Sequence, residues 1–196
     1  MKGIFLDTET NGLDPYRHTV IEIAIKVVDV TSGNELGEYA TPIYVDEDMW
    51  GRSDKASLHI NGFRYEMLKD APKKESVQTD IKAFFKKHKL KRGHAVFICQ
   101  NPSFDRVFFA HLISSQEQEM HAYPYHWLDL ASMYWGICLK DCQRDLPWNT
   151  GFSKNNIAEI YDIPPEGIPH RAINGVNHLI ACYQAVVGYK TAKDPL

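Results

Sequence analysis

Cysteine is scarce in this sequence. Its 196 residues contain four cysteines, which are Cys99, Cys138, Cys142 and Cys182. None of them forms a Cys-x-x-Cys pair or a zinc-type Cys/His spacing, so the pattern argues against a disulfide scaffold and a structural zinc site. We therefore expect reduced, mostly buried thiols in a cytoplasmic protein.

Long apolar runs and a strong charge excess are also lacking. No apolar run has the length of a transmembrane helix, and the N-terminus lacks a signal-peptide pattern, so we expect no membrane association. The formal net charge of -3 gives no global attraction to nucleic acid, although a local patch or bound cations can supply one. The sequence contains no internal repeats. It also lacks a Gly-x-Ser-x-Gly elbow, and this absence argues against an α/β-hydrolase. The length predicts a single domain over residues 1–196.

The most informative stretch lies near the N-terminus. Ile4–Leu6 is an apolar run that predicts a buried strand, and Asn11–Gly12 predicts a turn after it. Between them, Asp7 and Glu9 are two residues apart, which places both on one face of a strand with Cα atoms roughly 6.6 Å apart. Two carboxylates this close repel each other unless they are solvated at the strand end or share a cation such as Mg²⁺ or Mn²⁺.

The rest of the pattern predicts an α/β fold. The opening strand and strands at 20–30 and 38–45 suggest an antiparallel meander, while strands at 95–99 and near 129 alternate with helices. The predicted helices cover residues 74–88, 103–112, 131–139, 153–161 and 170–189, whereas 46–54, 140–151 and 162–169 are predicted to be irregular. This alternation indicates a mixed sheet flanked by helices.

A third carboxylate follows the predicted strand at 95–99. Ser103 is the predicted N-cap of the next helix, and Asp105 then lies in its first turn, beside the end of a buried strand. There it can meet a metal ion held by the opening strand, or it can simply favour the helix N-terminus. The predicted apolar face of this helix comprises Phe104, Val107, Phe108 and Leu112.

Together these segments resemble the DnaQ-like 3′-5′ exonucleases, in the subclass named for four acidic residues and a histidine (DEDDh). Residues 5–13, Phe-Leu-Asp-Thr-Glu-Thr-Asn-Gly-Leu, are similar to the first motif of that family. Asn101 to Asp105 resembles the second motif, Asn-x-x-Phe-Asp, and His170-Arg171-Ala172 resembles the start of the third. The resemblance covers nearly the whole chain. It implies a ribonuclease H-like fold and stepwise hydrolysis of single-stranded DNA or short RNA from the 3′ end.

The resemblance also implies roles for four residues. Two Mg²⁺ or Mn²⁺ ions would clamp the scissile phosphate, one activating water and the other stabilising the leaving oxygen. By motif position, Asp7 would bridge both ions, Glu9 would bind the water-activating ion and Asp105 the second ion. His170 would be the general base, a task that suits a histidine near neutral pH.

Substrate contacts and partners are implied by the same resemblance. The backbone around Thr10 and Leu13 would hold the terminal nucleotide, and Asn101, Phe104 and His59 would be neighbours of the substrate. The substrate would be a 3′ end of single-stranded DNA or RNA. A homodimer, and association with a polymerase or repair protein on a separate chain, are both compatible with this resemblance.

The sequence departs from the family at one position. The third motif normally ends in an aspartate five residues after the histidine, and this chain has Gly175 there. The loss should weaken the water-activating site most, unless the amide of Asn174 compensates through a shifted helix start. Three interpretations stay open: an active enzyme with weaker metal binding, a silent nucleic-acid-binding or protein-interaction domain on the same fold, or a glycine particular to this variant.

Overall fold

A five-stranded mixed sheet forms the centre of the molecule. The computed structural model describes residues 1–141 and 146–189, and Cys142 lies outside them. The strands are β1 (Lys2–Thr10), β2 (Val20–Asp29), β3 (Glu35–Pro42), β4 (Ala95–Cys99) and β5 (Trp127–Asp129), in the spatial order β3-β2-β1-β4-β5. β1, β2 and β3 pair antiparallel, while β1–β4 and β4–β5 pair parallel, which confirms the predicted mixed sheet.

Ten helices lie within the described residues. They are α1 (Glu47–Trp50), α2 (Lys55–Asn61), α3 (Tyr65–Leu68), α4 (Lys74–Lys87), α5 (Pro102–Leu112), α6 (Ser115–Met120), α7 (Leu130–Asp141), α8 (Pro147–Thr150), α9 (Lys154–Ile160) and α10 (Ala172–Val186). The predicted irregularity at 46–54 and 140–151 is wrong where α1 and α8 form. Asp46 caps α1 by accepting a hydrogen bond from the Met49 backbone NH, and Pro147 begins α8 with a preset backbone angle.

The third strand begins earlier than predicted. It starts at Glu35 rather than residue 38, because Gly33 adopts a left-handed turn with φ of 77° and Glu35 then pairs with Val28 of β2. Lys26 on β2 also binds Glu35 and Glu38 of β3, at 2.9 Å each. The start of β3 is therefore set by its pairing with β2, which the local sequence pattern does not show.

Apolar residues bury both faces of the sheet. One core joins Ile4 and Leu6 of β1 to α4 and α5, and the other joins Phe5 of β1 to α7, α9 and α10. Burial on both sides accounts for the apolar run at the start of β1. The side chains of α4 that face the core are the predicted ones, Val77, Ile81, Phe84 and Phe85.

Two further observations concern the described residues alone. Cys99, Cys138 and Cys182 are free thiols, and Cys99 and Cys182 are buried. Across residues 1–141 and 146–189, the helices are too short or too polar to span a membrane.

Candidate active site

The C-terminal end of β1 opens into a pocket that contains the four predicted catalytic residues. Its volume is about 320 Å³, and it brings Asp7, Glu9, Asp105 and His170 together from three separate segments of the chain. The other lining residues are Thr8, Gln100, Asn101, Phe104, Ser153, Lys154, Asn155 and Glu166. The parallel pairing of β1 with β4 places the start of α5 beside the end of β1, which brings Asp105 to the pocket.

Asp7 and Glu9 both line the pocket, as their spacing along β1 predicts. Burial raises the pKa of Asp7 to about 7, and the carboxylates of Glu166 and Glu22 add to the rise while Lys154 opposes it. Burial also raises the pKa of Glu9 to about 8, with further repulsion from Asp7, Glu22 and Glu166. A nearby cation would relieve this repulsion between carboxylates.

Asp105 is fixed by a hydrogen bond within the same region. The Thr8 hydroxyl donates to Asp105 Oδ1 at 2.8 Å, and both residues are buried. Burial, followed by the charge of Asp7, raises the pKa of Asp105 well above its usual range. Asp105 therefore belongs to the same electrostatic cluster as the carboxylates of β1.

The predicted cap and apolar face of α5 need correction. Ser103 is not the N-cap, because the helix begins at Pro102 after Asn101, whose backbone is left-handed with φ of 57°. The Ser103 hydroxyl instead donates to Asn101 Oδ1 at 2.6 Å. Val107, which was predicted to lie on the apolar face of α5, is 43% exposed. Phe109, which was not predicted there, is fully buried.

His170 lies in the connection that precedes α10. Its backbone NH donates to the Ile60 carbonyl at 3.2 Å, and its Nδ1 lies 3.9 Å from Glu166 Oε1. The start of α10 is held by Glu22 of β2, which accepts a hydrogen bond from the Ala172 NH at 2.7 Å. Glu22 thereby fixes the helix that follows His170 against β2, which pairs with the strand that carries Asp7 and Glu9.

Two pocket residues, Lys154 and Glu166, belong to none of the motifs that predicted the site. Lys154 Nζ lies 2.7 Å from Glu166 Oε2 and 4.0 Å from Asp7 Oδ1. The side chain of Lys154 is 12% exposed and that of Glu166 is 4% exposed. Burial lowers the pKa of Lys154, but the charges of Asp7 and Glu166 more than offset this and the net pKa is raised. One local signal was available, since a lysine in the first turn of a helix opposes the helix dipole and suggests acidic neighbours.

Gly175 lies on α10 directly against Asp7. A Cβ atom at position 175 would overlap Asp7 Oδ2 and lie 2.7 Å from Asp7 Cγ. The Asp7 carboxylate therefore occupies the space that the Cβ atom of any larger residue at position 175 would need. Asn174 is exposed and does not line the pocket, so α10 begins in a frame that does not bring its amide there.

The five predicted substrate neighbours divide into two groups. Asn101 and Phe104 line the pocket. Thr10, Leu13 and His59 lie outside the lining: the Thr10 hydroxyl donates to the Gly12 carbonyl, Leu13 is 69% exposed, and His59 is exposed on α2.

The pocket suits a divalent cation in the chemistry of its donors. Carboxylate oxygens are the ligands that Mg²⁺ and Mn²⁺ prefer, and the carboxylates of Asp7 and Glu9 are partly buried with raised pKa values. Within residues 1–141 and 146–189, however, no three His, Cys, Asp or Glu side chains are already arranged around one common ion position. Binding would therefore require these side chains to rearrange around the ion.

Comparison with known protein families gives a match over most of the chain. Residues 4–176 match the model of the exonuclease family RNase_T. DNA polymerase III subunit epsilon of Rickettsia conorii is 34% identical over 117 residues, which are 58% of this chain and 45% of that protein. The Rickettsia typhi subunit is 35% identical over the same length. The match thus spans less than half the length of these relatives.

Solved structures show the same fold. Escherichia coli exonuclease I in complex with a dT13 oligonucleotide superposes with a TM-score of 0.76 at 16% identity, covering 94% of this chain and 40% of that one. Cell-death related nuclease 4 superposes with a TM-score of 0.75 at 17% identity, covering 96% and 65%. At these identities the likeness establishes the fold, which is the predicted ribonuclease H-like arrangement.

Proposed function

Because this chain belongs to the RNase_T exonuclease family, with the DnaQ-like motifs and fold, we propose that it is a divalent-cation-dependent 3′-5′ exonuclease acting on single-stranded DNA or short RNA. One observation carries the proposal: Asp7, Glu9, Asp105 and His170 line a single pocket although they lie as far apart as residues 7 and 170. Clustered carboxylates beside a histidine suit the hydrolysis of a phosphodiester.

Asp7, Glu9 and Asp105 are the residues that would hold Mg²⁺ or Mn²⁺. When bound, the cation supplies Lewis acidity to the phosphate and to the attacking water. The hydrogen bond from Thr8 to Asp105 restricts that carboxylate to one orientation, so part of the ligand set is positioned in advance. We assign no separate ligand to position 175.

His170 would accept the proton of the attacking water. Its Nδ1 faces Glu166, so Nε2 is the atom that can face the substrate. Water oxygen bonds to phosphorus, the bond to the 3′ oxygen of the penultimate nucleotide breaks, and the proton of the water moves to His170 Nε2. The leaving 3′ oxygen takes up a proton from solvent, so the products are a nucleoside 5′-monophosphate and a chain shortened by one nucleotide with a free 3′ hydroxyl.

A second function is favoured by Gly175. Without a carboxylate at this position, the chain could bind nucleic acid or another protein through the same pocket without cleaving a phosphodiester. In that case a labelled oligonucleotide would bind and stay intact.

Digestion of 5′-labelled oligonucleotides distinguishes the two functions. We expect a ladder of 3′-shortened products in Mn²⁺ or Mg²⁺, and comparison of DNA with RNA identifies the substrate. Asp105→Asn removes a charge but keeps an oxygen that can accept from Thr8, so the fold should persist while the ladder is lost. Glu159→Gln, an exposed change on α9 outside the pocket, is the matched control. Binding without a ladder under every condition would favour the silent domain.

The wider setting of the protein is part of the same proposal. We propose that residues 1–196 act as one exonuclease domain in the cytoplasm. The similarity to DNA polymerase III epsilon subunits supports a polymerase or repair protein as partner. Light scattering would separate a monomer of 22.5 kDa from a homodimer.

A further inference from the structure

The pocket contains an internal cation that the proposed hydrolysis does not use. The ammonium of Lys154 donates to the Gly175 carbonyl at 3.2 Å and lies 2.7 Å from Glu166 Oε2. It is also 4.0 Å from Asp7 Oδ1. A lysine this enclosed, with a side chain 12% exposed, has exchanged its hydration for these three contacts.

Glycine at position 175 allows this arrangement. Any larger residue would bring a Cβ atom into the Asp7 carboxylate, so Asp7 could not rest against α10. With glycine, Asp7 and the backbone of residue 175 both come within reach of Lys154. At this place the chain lacks a negative charge at position 175 and has instead a positive charge, the Lys154 ammonium, beside Asp7.

Glu166 fixes the lysine from the other side. Its side chain is 4% exposed, and its backbone NH donates to Asn155 Oδ1 at 3.0 Å, which ties it to the helix that carries Lys154. The same carboxylate lies 3.9 Å from His170 Nδ1. Lys154 and Glu166 thus form a buried ion pair between Asp7 and the histidine.

The Lys154 ammonium lies beside Asp7, where a metal cation bound to Asp7 would also lie. The resemblance implied that a carboxylate at position 175 would help Asp7 and Glu9 to hold the water-activating ion. Here no such carboxylate exists, and a fixed positive charge already contacts both Asp7 and residue 175. A divalent cation beside that charge would be repelled, whereas one at the far side of Asp7 would be repelled less.

We propose that the Lys154 ammonium takes the place of one of the two expected divalent cations, so that the pocket binds a single Mg²⁺ or Mn²⁺. This inference rests on the proposed metal-dependent function and refines it. Glu166 is a positioning residue that holds Lys154 in place. Asp7, Glu9 and Asp105 remain the ligands of the one cation.

Direct counting of bound Mn²⁺ tests this inference without any measurement of activity. We would titrate Mn²⁺ into the full chain without oligonucleotide and follow free Mn²⁺ by electron paramagnetic resonance. The unchanged chain should bind one Mn²⁺. Lys154→Gln keeps an NH donor for Glu166 but removes the charge, so it should bind two.

Two controls isolate the charge of Lys154. Lys154→Arg keeps the charge and should bind one Mn²⁺. Lys26→Gln removes a lysine that is also 12% exposed and also contacts two carboxylates, but lies outside the pocket, and it should bind one Mn²⁺ as well. A change in both lysine-to-glutamine variants would reflect total charge rather than this site, and would contradict the inference.

The unchanged chain alone can overturn the inference, even if Lys154→Gln fails to fold. Two Mn²⁺ ions, or none, bound to it would contradict the proposal, as would equal stoichiometry in a folded Lys154→Gln variant. The exonuclease proposal fails separately: one bound Mn²⁺ without oligonucleotide shortening contradicts the nuclease alone, while a ladder with two bound Mn²⁺ contradicts this inference alone.

Discussion

Two lysines of equal exposure show how differently this chain uses an ion pair. Lys26 and Lys154 both have side chains 12% exposed, and each contacts two carboxylates. The partners of Lys26, Glu35 and Glu38, are 48% and 46% exposed and join two neighbouring strands. The partners of Lys154 are 19% and 4% exposed and line a pocket.

The difference lies in the carboxylates rather than in the lysines. Around Lys26, water reaches both acids, and such a pair contributes little beyond holding β2 to β3. Around Lys154, burial raises the pKa of Asp7 to about 7 and that of Glu9 to about 8. The ionised forms of such partly buried carboxylates do not stabilise the fold. Perturbed pKa values of this kind are concentrated at functional sites.

The largest effect should come from a pocket carboxylate compared with a carboxylate beside Lys26. Glu9→Gln should reduce Mn²⁺-dependent shortening of an oligonucleotide by about 100-fold or more, because a neutral amide is a poorer ligand for a hard cation. Glu35→Gln, made beside Lys26, should keep the full rate. Initial rates from the 5′-labelled ladder give both values. Equal rates for the two variants would remove the functional distinction between the two regions.

Removal of the candidate base should come next in size. His170→Gln should slow the reaction roughly 100-fold, the lower range for loss of a general base. Mn²⁺ affinity should change little, since His170 is not among the proposed ligands. His121→Gln, at the end of α6 and away from the pocket, serves as the control. A His170→Gln enzyme as fast as the unchanged chain would exclude this histidine from proton transfer.

The pH dependence of stability should also separate the regions. The raised pKa values of Asp7 and Glu9 mean that the folded state holds protons which the unfolded state releases near pH 4. In EDTA, the bound protons contribute fully to the free energy of unfolding below about pH 4. This contribution is lost as the pH rises through about 7 to 8. Each unit of pKa difference corresponds to about 1.4 kcal/mol.

Thermal unfolding checks this dependence. The Tm in EDTA should fall between pH 5 and pH 8, and the fall should be smaller in Glu9→Gln. Mn²⁺ should raise the Tm more at pH 8 than at pH 5, because the cation binds the ionised carboxylates. Glu38→Gln should leave the size of the fall unchanged. An identical fall in Glu9→Gln would show that other groups cause it.

The smallest effect concerns two helical glycines. Gly136→Ala on α7 adds a Cβ atom to open space and should stabilise the fold by about 1 kcal/mol through helix propensity. Gly175→Ala has the same intrinsic gain but must displace Asp7, so we expect little or no net stabilisation and weaker Mn²⁺ binding. Chemical denaturation and Mn²⁺ titration measure the two effects. Equal stabilisation by both changes would mean that Asp7 moves away from α10 without cost.

Local patterns in the sequence predicted most of the fold. The i, i+4, i+7, i+8 spacing of Val77, Ile81, Phe84 and Phe85 defined α4, because one helix face alone determines their burial. The start of β3 differs from the predicted residue 38, since Glu35 joins the strand through pairing with β2. The predicted cap Ser103 is wrong because Asn101 adopts a left-handed backbone that sequence spacing does not reveal.

The candidate site was predictable only where a motif carried it. Asp7, Glu9, Asp105 and His170 belong to recognisable motifs, and the structure brings all four to one pocket. Lys154 and Glu166 belong to no such pattern, and Lys154 meets Asp7 across 147 positions of the chain. The sequence showed that a carboxylate is missing at Gly175, but not that Asp7 lies where a Cβ atom at that position would be.

The most direct test of hydrolysis at this pocket is the chemistry of the released product. We would digest a single-stranded oligonucleotide in ¹⁸O-labelled water with Mn²⁺ and analyse the nucleotides by mass spectrometry, with Asp7→Asn in parallel. We expect nucleoside 5′-monophosphates that each carry one ¹⁸O atom on phosphorus, and none from Asp7→Asn. Release of 3′-phosphorylated nucleotides, or equal release by the two proteins, would contradict it.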